Sequence, residues 1–252
     1  IRNMGKTAGL LEKKIEKDLS EGSKSYHEEA DVYEEFSIAE DKPGKVLAFL
    51  KEKVKGKKVL DLGCGTGQFT IALAPITSEY VGLDISQDQL DVAAKKLNEN
   101  GIGNVKLICS SGEKIELDSD YFDVVISTWV VGTIQGDDRK KKTISEIERV
   151  LKKNGVAYLV ENNVGGEFEF IRNRYPDIKR TKEYNDFLVG EGFEVCENID
   201  TKFEFETNAD ACRVIGSIWG AESESKVKSS IIEHKIIIFS KKKVIKLIKR
   251  IK

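Results

Sequence analysis

Two acids and three glycines in the first third of the chain are spaced to act together. Residues 59–67 read Val-Leu-Asp-Leu-Gly-Cys-Gly-Thr-Gly, which sets Asp61 before the series Gly63-x-Gly65-x-Gly67. Seventeen residues beyond Gly67, a second acid, Asp84, closes the run Val81-Gly82-Leu83-Asp84. Val59 and Leu60 begin an apolar run that reads as a buried strand, and residues 68–74 read as a helix with an apolar face. Strand, glycine turn and helix open a nucleotide-binding βαβ unit. Glycine suits such a turn because the backbone must bend sharply and approach a ligand closely.

The spacing restricts the ligand. A dinucleotide fingerprint is G-x-G-x-x-G, with backbone N–H groups aimed at a pyrophosphate. Here the third glycine comes one residue early, and Gln68 takes its place. A carboxylate at Asp61 repels a pyrophosphate and attracts an ammonium group. Asp84, ending the second strand, is placed to accept hydrogen bonds from both hydroxyls of a ribose. The set asks for a ribose, a close backbone contact and a cation, without a phosphate. S-adenosylmethionine (SAM) has all of these.

The run Asp61-Leu62-Gly63-Cys64-Gly65-Thr66-Gly67, with Asp84 closing the next strand, resembles the class I SAM-dependent methyltransferases. Within them it is most similar to the methyltransferase type 11 group, which includes the quinone-biosynthesis C-methyltransferases. The resemblance spans residues 26–200. It implies that Asp61 and the turn residues Gly63, Cys64, Gly65, Thr66 and Gly67 hold the methionine part, and that Asp84 holds the ribose. Ile85 matches the position that packs on adenine, and Gln89, one helical turn on, is placed to cover the other side. Ser111, Gly112 and Glu113 follow the third strand where the family commonly has Gly-Asp-Ala. Ser111 thus stands for the Asp that reads the adenine edge, with Glu113 as the alternative. Thr128 lies near the methyl group. The resemblance also makes the N-terminal arm a lid, with Tyr26 or Tyr33 at the methionine end.

Residues 128–131, Thr-Trp-Val-Val, leave the fourth strand where the reacting methyl should face. The Asn/Asp-Pro-Pro-Tyr of amino-methylating DNA and protein methylases is absent there, as is the Pro-Cys of RNA cytosine methylases. A small-molecule acceptor is therefore expected. Trp129 either walls the acceptor pocket or packs the lid, and residues 161–163 line the pocket or form an exposed polar loop. No residue stands out as a general base. His27 reads as a surface or structural histidine. The sulfonium is already activated, so an enzyme of this kind mainly orients its reactants and excludes water.

The elements that position these residues follow from periodicity. Residues 6–21 read as an amphipathic helix, and 24–40 as an acidic stretch bearing Tyr26, His27, Tyr33 and Phe36. A helix at 45–53 leads into the first strand. Ser86 caps a helix from residue 87 to about 98. Strands are expected at 104–109, 121–127 and 156–160, with a helix capped by Asp137-Asp138 between the last two and a turn at 152–155. Thr181 is expected to cap a helix ahead of the sixth strand, which starts near Glu194. That strand runs on through Ile199, or pauses and resumes at Phe203. The last strand spans 233–240.

These elements predict an α/β fold: a Rossmann-like, seven-stranded, mostly parallel sheet with helices on both faces and the last strand antiparallel. The family order is 3-2-1-4-5-7-6. An arm or lid at 1–44 precedes the SAM-binding domain at 45–240. Residues 206–230 form an insertion between strands six and seven, long for a hairpin, in which Asn208 caps a helix carrying Trp219. It serves as a second lid or as a homodimer contact. The tail 241–252 holds seven Lys/Arg and reads as a basic amphipathic helix. It packs on the body, lies on a membrane or grips phosphate backbones. The last two options keep a lipid- or RNA-directed methyltransferase open, and a non-catalytic SAM-binding partner subunit is a further alternative. The acceptor pocket is expected to draw on Tyr26, Tyr33, Trp129, Asn162 and Trp219.

Composition restricts the class further. One third of the 252 residues are charged, yet the formal net charge is −2, which gives no global pull toward nucleic acid. The four cysteines form no C-x-x-C pair, so neither a zinc site nor a disulfide framework is expected, and a reducing cytoplasm fits best. There is no signal-peptide pattern and no apolar run long enough to span a bilayer.

Overall fold

Alternating apolar residues build the strands. The computed structural model describes residues 30–172 and 179–244. After the helices α1 (Ala30–Ala39) and α2 (Lys45–Val54), β1 (Lys58–Leu62) enters the centre of the sheet. It pairs in parallel with β2 (Glu79–Asp84) on one side and β4 (Phe122–Thr128) on the other. β3 (Val105–Cys109) lies parallel outside β2, and β5 (Leu151–Asn162) parallel outside β4. β7 (Ile231–Lys242) runs antiparallel to β5 and to β6 (Glu194–Glu204), which closes the order 3-2-1-4-5-7-6. The sheet thus has the expected seven strands and the expected antiparallel final strand.

Period-two alternation sends β1 to both faces. Leu60 and Leu62 pack with Val81, Leu83 and Val125 beneath the helices α5 (Asp137–Val150) and α7 (Arg180–Gly190). Val59 packs with Tyr80, Val124 and Ile126 beneath α2. Val46, Leu50 and Val54 are fully buried at helical spacing on α2. Each such side chain contributes about 2 kcal/mol on leaving water. The helices α3 (Gln68–Leu73) and α4 (Gln87–Glu99) complete the βαβ units around β1 and β2.

β6 and β7 are longer than the strands they flank. β5 ends at Asn162 opposite Ile236, whereas the β6–β7 pairing continues from Asp200↔Lys235 to Glu204↔Ile231. A two-stranded ribbon therefore projects past the carboxyl edge of the sheet. The helices α6 (Glu167–Arg172), α8 (Asn208–Trp219) and α9 (Ala221–Lys226) join α1 on this ribbon around a separate apolar cluster of Phe36, Phe168, Phe203, Val214 and Ile232. These elements form a cap.

Several expectations are corrected. The corner at 152–155 lies inside β5, where Asn154 takes φ 65° and the register with β4 shifts. A Cβ at Gly155 would sit 3.0–3.1 Å from three backbone carbonyl oxygens, so only glycine lets the strand continue through the bulge. Because β5 starts early, β7 finds partners as far as Lys241↔Ala157 and Lys242↔Val156. The first two residues of the expected basic helix at 241–252 are therefore strand. Residues 245–252, like the helix at 6–21 and Tyr26 and His27, lie outside the described residues. β6 is one strand through Glu204. Gly136, not an Asp, precedes α5, and Asp137 and Asp138 instead place their charge in its first turn. Thr207, not Asn208, caps α8, accepting from the Asp210 N–H at 3.1 Å. Thr181 falls inside α7 and accepts a hydrogen bond from Arg172 instead of capping the helix.

Candidate active site

The glycine turn is fastened to β2. The Gly63 and Cys64 N–H groups both donate to the Leu83 carbonyl, at 2.6 and 3.1 Å. Gly65 donates to Asp84 Oδ2 and Ser86 to Asp84 Oδ1, each at 2.9 Å. Gly63 has φ 77°. A Cβ there would meet Val130 Cγ2 at 2.1 Å, so glycine also admits the loop that follows β4. Asp61 is 1% exposed on the Tyr80 face of β1. Its Oδ2 accepts from Tyr80 Oη at 2.7 Å and Thr70 Oγ1 at 3.2 Å, and its Oδ1 is buried with no partner among the described residues. Burial raises the Asp61 carboxyl to about 6, against those two donors, and pushes the Cys64 thiol up.

The neighbouring positions fall around the same edge. Ile85 is 41% exposed just past Asp84, whereas Gln89 is buried on α4. Ser86 accepts from the Gln89 N–H, as its capping role requires. Ser111 Oγ accepts from the Glu113 N–H at 3.2 Å. Glu113 itself is paired with Arg139 of α5 at 2.6 Å. Gly112 is held tight from below: a Cβ would lie 3.2 Å from both Leu62 and Thr143.

Helix α1 closes over the turn. Thr66 Oγ1 donates to Glu34 Oε2 at 2.5 Å, and Glu34 also pairs with Lys96 of α4. Gln68 Nε2 donates to the Ser37 carbonyl at 2.7 Å. Tyr33, on the same helix, packs on Phe36, and burial together with the charges of Glu40 and Asp84 pushes its hydroxyl up. One helix therefore reaches from the ribose-side acid to the cap.

On the other side of the turn, Thr128 ends β4 and Trp129 takes φ 55°, a strained conformation for a bulky residue. Its N–H donates to the Val160 carbonyl at 2.8 Å, its ring lies 6.2 Å from Phe69, and its indole Nε1 is buried with no partner among the described residues. Glu161, near the end of β5, faces this loop. It is 3% exposed, accepts from Tyr184 Oη at 2.8 Å, and receives the Gly132 N–H. Burial raises its carboxyl to about 7 despite these donors and the nearby charges of Arg172 and Lys140. The adjacent Asn162 Oδ1 is buried and unpartnered.

The cap adds groups that sequence reasoning did not single out. His234 Nε2 lies 3.1 Å from Glu40 Oε1, and both side chains are below one tenth exposed. Burial lowers His234 to about 3 and raises Glu40 well above the ordinary carboxylate range, so both shifts disfavour charge on the pair. The His234 ring packs 4.9 Å from Phe168 and from Phe203. Trp219, expected in the pocket, packs edge-on against Phe36 and Phe168 at 5.2 and 5.4 Å and ties α8 to α1. The missed signal for His234 was its phase: it alternates with Ile232, Ile236 and Ile238. No group of three or more metal-ligating side chains occurs among the described residues.

Comparison with known proteins identifies the family and the fold. The model of a family described as "Methyltransferase domain" matches residues 53–234, and the chain belongs to that family. By fold and family it carries a class I SAM-dependent methyltransferase domain. It is 29% identical over 131 residues to the uncharacterized methyltransferase YcgJ of Bacillus subtilis, covering 50% of this chain and 51% of that protein. The demethylmenaquinone methyltransferase of Geobacillus kaustophilus is 30% identical over 154 residues, covering 55% and 64%. The chain thus spans roughly half to two thirds of the length of these curated relatives. Among solved structures, YcgJ superposes with a TM-score of 0.61 at 16% identity, covering 79% of this chain and 98% of that one. The [4+2]-cyclase SpnF gives 0.58 at 21%, covering 81% and 82%. The N-methyltransferase NodS of Bradyrhizobium japonicum, solved with S-adenosylhomocysteine (SAH), gives 0.54 at 12%, covering 81% and 87%. At these identities the superpositions speak for the fold.

Proposed function

We propose that the chain transfers a methyl group from SAM to a small molecule held between the carboxyl edge of the sheet and the cap. The observation that carries the cofactor half is the unpartnered, buried Oδ1 of Asp61 beside a glycine turn fastened to Asp84. An orphaned acceptor here fits an ammonium group. Asp84 closes β2 beside the turn as the acid proposed for the ribose hydroxyls, and Ile85 offers an exposed apolar surface to a flat ring. Bound SAM supplies an activated methyl on a sulfonium. The chain's own residues bind, orient and shield: Asp61, Gly63, Cys64, Gly65, Thr66 and Gly67 on the methionine side, Asp84 on the ribose. Ile85, Gln89, Ser111 and Gly112 flank the base, and Thr128 and Trp129 lie on the acceptor side. Glu161, buried beside that loop, is the group placed to take a proton from the acceptor.

Support for a small acceptor comes from the near-neutral charge and from relatives whose names specify demethylmenaquinone. The cyclase among the structural neighbours keeps a second reading in view, in which the fold binds SAM without methyl transfer. Calorimetric titration with SAM, SAH, NAD and NADP tests the cofactor. Binding of the first two alone is expected, and Asp84→Ala should weaken it about 10–100-fold by removing hydrogen bonds to a charged acceptor. Binding of NAD or NADP, or unchanged SAM affinity in the variant, would overturn the reading. SAH production across a panel of small acceptors then separates transfer from binding alone.

A further inference from the structure

Arg172 ends α6 between the sheet edge and the cap. Its guanidinium feels the charge of Glu169 one turn back on α6 first, and also that of Glu161 at the end of β5 and Glu40 at the end of α1. The latter two acids belong to opposite faces: Glu161 alternates with Ala157 and Leu159, whereas Glu40 meets His234, which alternates with Ile236 and Ile238. Arg172 therefore sits at the seam where α1, α6, β5 and β7 converge.

Its hydrogen bonding is incomplete. One terminal nitrogen, Nη2, donates to Thr181 Oγ1 at 2.6 Å, and the guanidinium lies 5.8 Å from the Phe168 ring centre. Nε is buried without a partner, and no carboxylate among the described residues lies within ion-pair distance of Arg172. The three acids whose charge reaches it are hydrogen-bonded elsewhere: Glu169 accepts from the Gly165 N–H, Glu161 from Tyr184 and the Gly132 N–H, and Glu40 meets His234. A buried guanidinium nitrogen with no partner among the described residues is costly unless a ligand completes it.

We propose that Arg172 is the subsite for an acid group on the methyl acceptor, a carboxylate received by the guanidinium edge that carries Nε. This rests on the acceptor position proposed above and narrows it to acid-bearing small molecules. The planar fork of arginine matches the two oxygens of a carboxylate, and such charge-assisted pairs are about twice as strong as neutral ones. The surrounding charges agree. Burial lowers Arg172 to about 10, so it stays cationic at neutral pH, while Glu40 is pushed well toward its protonated form.

The test is titration of the SAH-loaded full chain with benzoate and with benzamide, which share shape and differ in charge. Benzoate is expected to bind at least tenfold more tightly than benzamide. Arg172→Met should abolish that preference while leaving SAH affinity and the thermal midpoint no lower than in the parent protein, because an unpaired buried charge has been removed. Arg172→Lys keeps the charge but loses the fork and should retain only part of the preference, which carries the test if the Met variant does not fold. Equal or absent binding of the two probes, or a preference that survives in Arg172→Met, overturns the assignment. The SAH titration is read first. No SAH binding overturns the methyltransferase reading, whereas SAH binding without a benzoate preference overturns the Arg172 assignment alone.

Discussion

The two halves of the carboxyl edge are built from different kinds of contact. Around β1 and β2, the polar groups bond to partners close in sequence: Asp84 to Gly65 and Asp61 to Tyr80, each 19 residues apart. In the cap, the bonds span the chain: Glu40 to His234 across 194 residues and Asp41 to Thr201 across 160. The first half is a supersecondary unit with its chemistry written into one turn. The second is assembled only when the N-terminal helix, the β6–β7 ribbon and the connection after β5 meet. A cofactor common to a family fits the first construction, and an acceptor peculiar to one member fits the second.

The largest expected effect tests whether the turn is closed by the strand-four loop as the geometry implies. Gly63→Ala forces a Cβ into Val130 at φ 77°. The positive φ costs about 1 kcal/mol and the overpacking a further 1–3 kcal/mol. Gly44→Ala provides the control, since φ is 73° there but nothing lies within 4 Å, and it should cost only about 1 kcal/mol. Adding Val130→Ala to Gly63→Ala should return much of the difference in urea denaturation. If Gly63→Ala costs no more than Gly44→Ala, the loop does not pack on the turn.

Glu161 sharpens the comparison from the acceptor side. Its native carboxyl is raised to about 7 from an ordinary 4.5, so the folded chain holds a proton that the unfolded chain releases. Stability is then full below pH 4.5 and falls as pH rises toward 7. Glu161→Gln keeps an acceptor for Tyr184 and the Gly132 N–H without the charge. It should be stabilising at pH 8 by up to about 3 kcal/mol, with little change at pH 4.5. Thermal denaturation at the two pH values reads the difference. A stability gap that does not grow with pH would show that Glu161 is ionised and well solvated in the fold, and would remove it as a proton acceptor tuned near neutrality.

This division also explains what was legible in the sequence. The glycine spacing, Asp61, Asp84 and the Ser86 cap are local patterns, and each has its expected place in the sheet and its turns. The strand order followed from family resemblance to that same turn. The Gly155 bulge was not legible, because the backbone oxygens that require glycine there come from Lys152, Phe122 and Asp123, on two strands. Arg172 and His234 were not legible as partners of Glu40 or Glu161, because nothing in a linear pattern says which distant elements will share one seam. The caps misread at Asn208 by one residue and at Thr181 by two mark the same limit at short range: several residues there can cap, and tertiary contacts decide which one does.

The smallest expected effect is that of a cut before residue 245, and its meaning comes from comparison with a cut four residues earlier. A basic helix from residue 241 would be removable as a unit. The structure instead places Lys241 and Lys242 in β7, opposite Ala157 and Val156, and anchors Lys243 through its Nζ to the Leu151 carbonyl at 2.6 Å and to Asp120 at 2.7 Å. Truncation before Lys241 therefore strips the β5 bulge of its strand partner and should lower stability by about 2–4 kcal/mol, at roughly 1 kcal/mol for each lost hydrogen bond. Truncation before residue 245 leaves every one of these contacts and should change neither the thermal midpoint nor SAM affinity. These contacts are made at the edge of the sheet opposite the glycine turn, since β5 reaches them at its amino end. A loss of SAM affinity in the shorter truncation would mean that residues 245–252 reach the carboxyl edge, and the separation of the two halves would then have to include the tail.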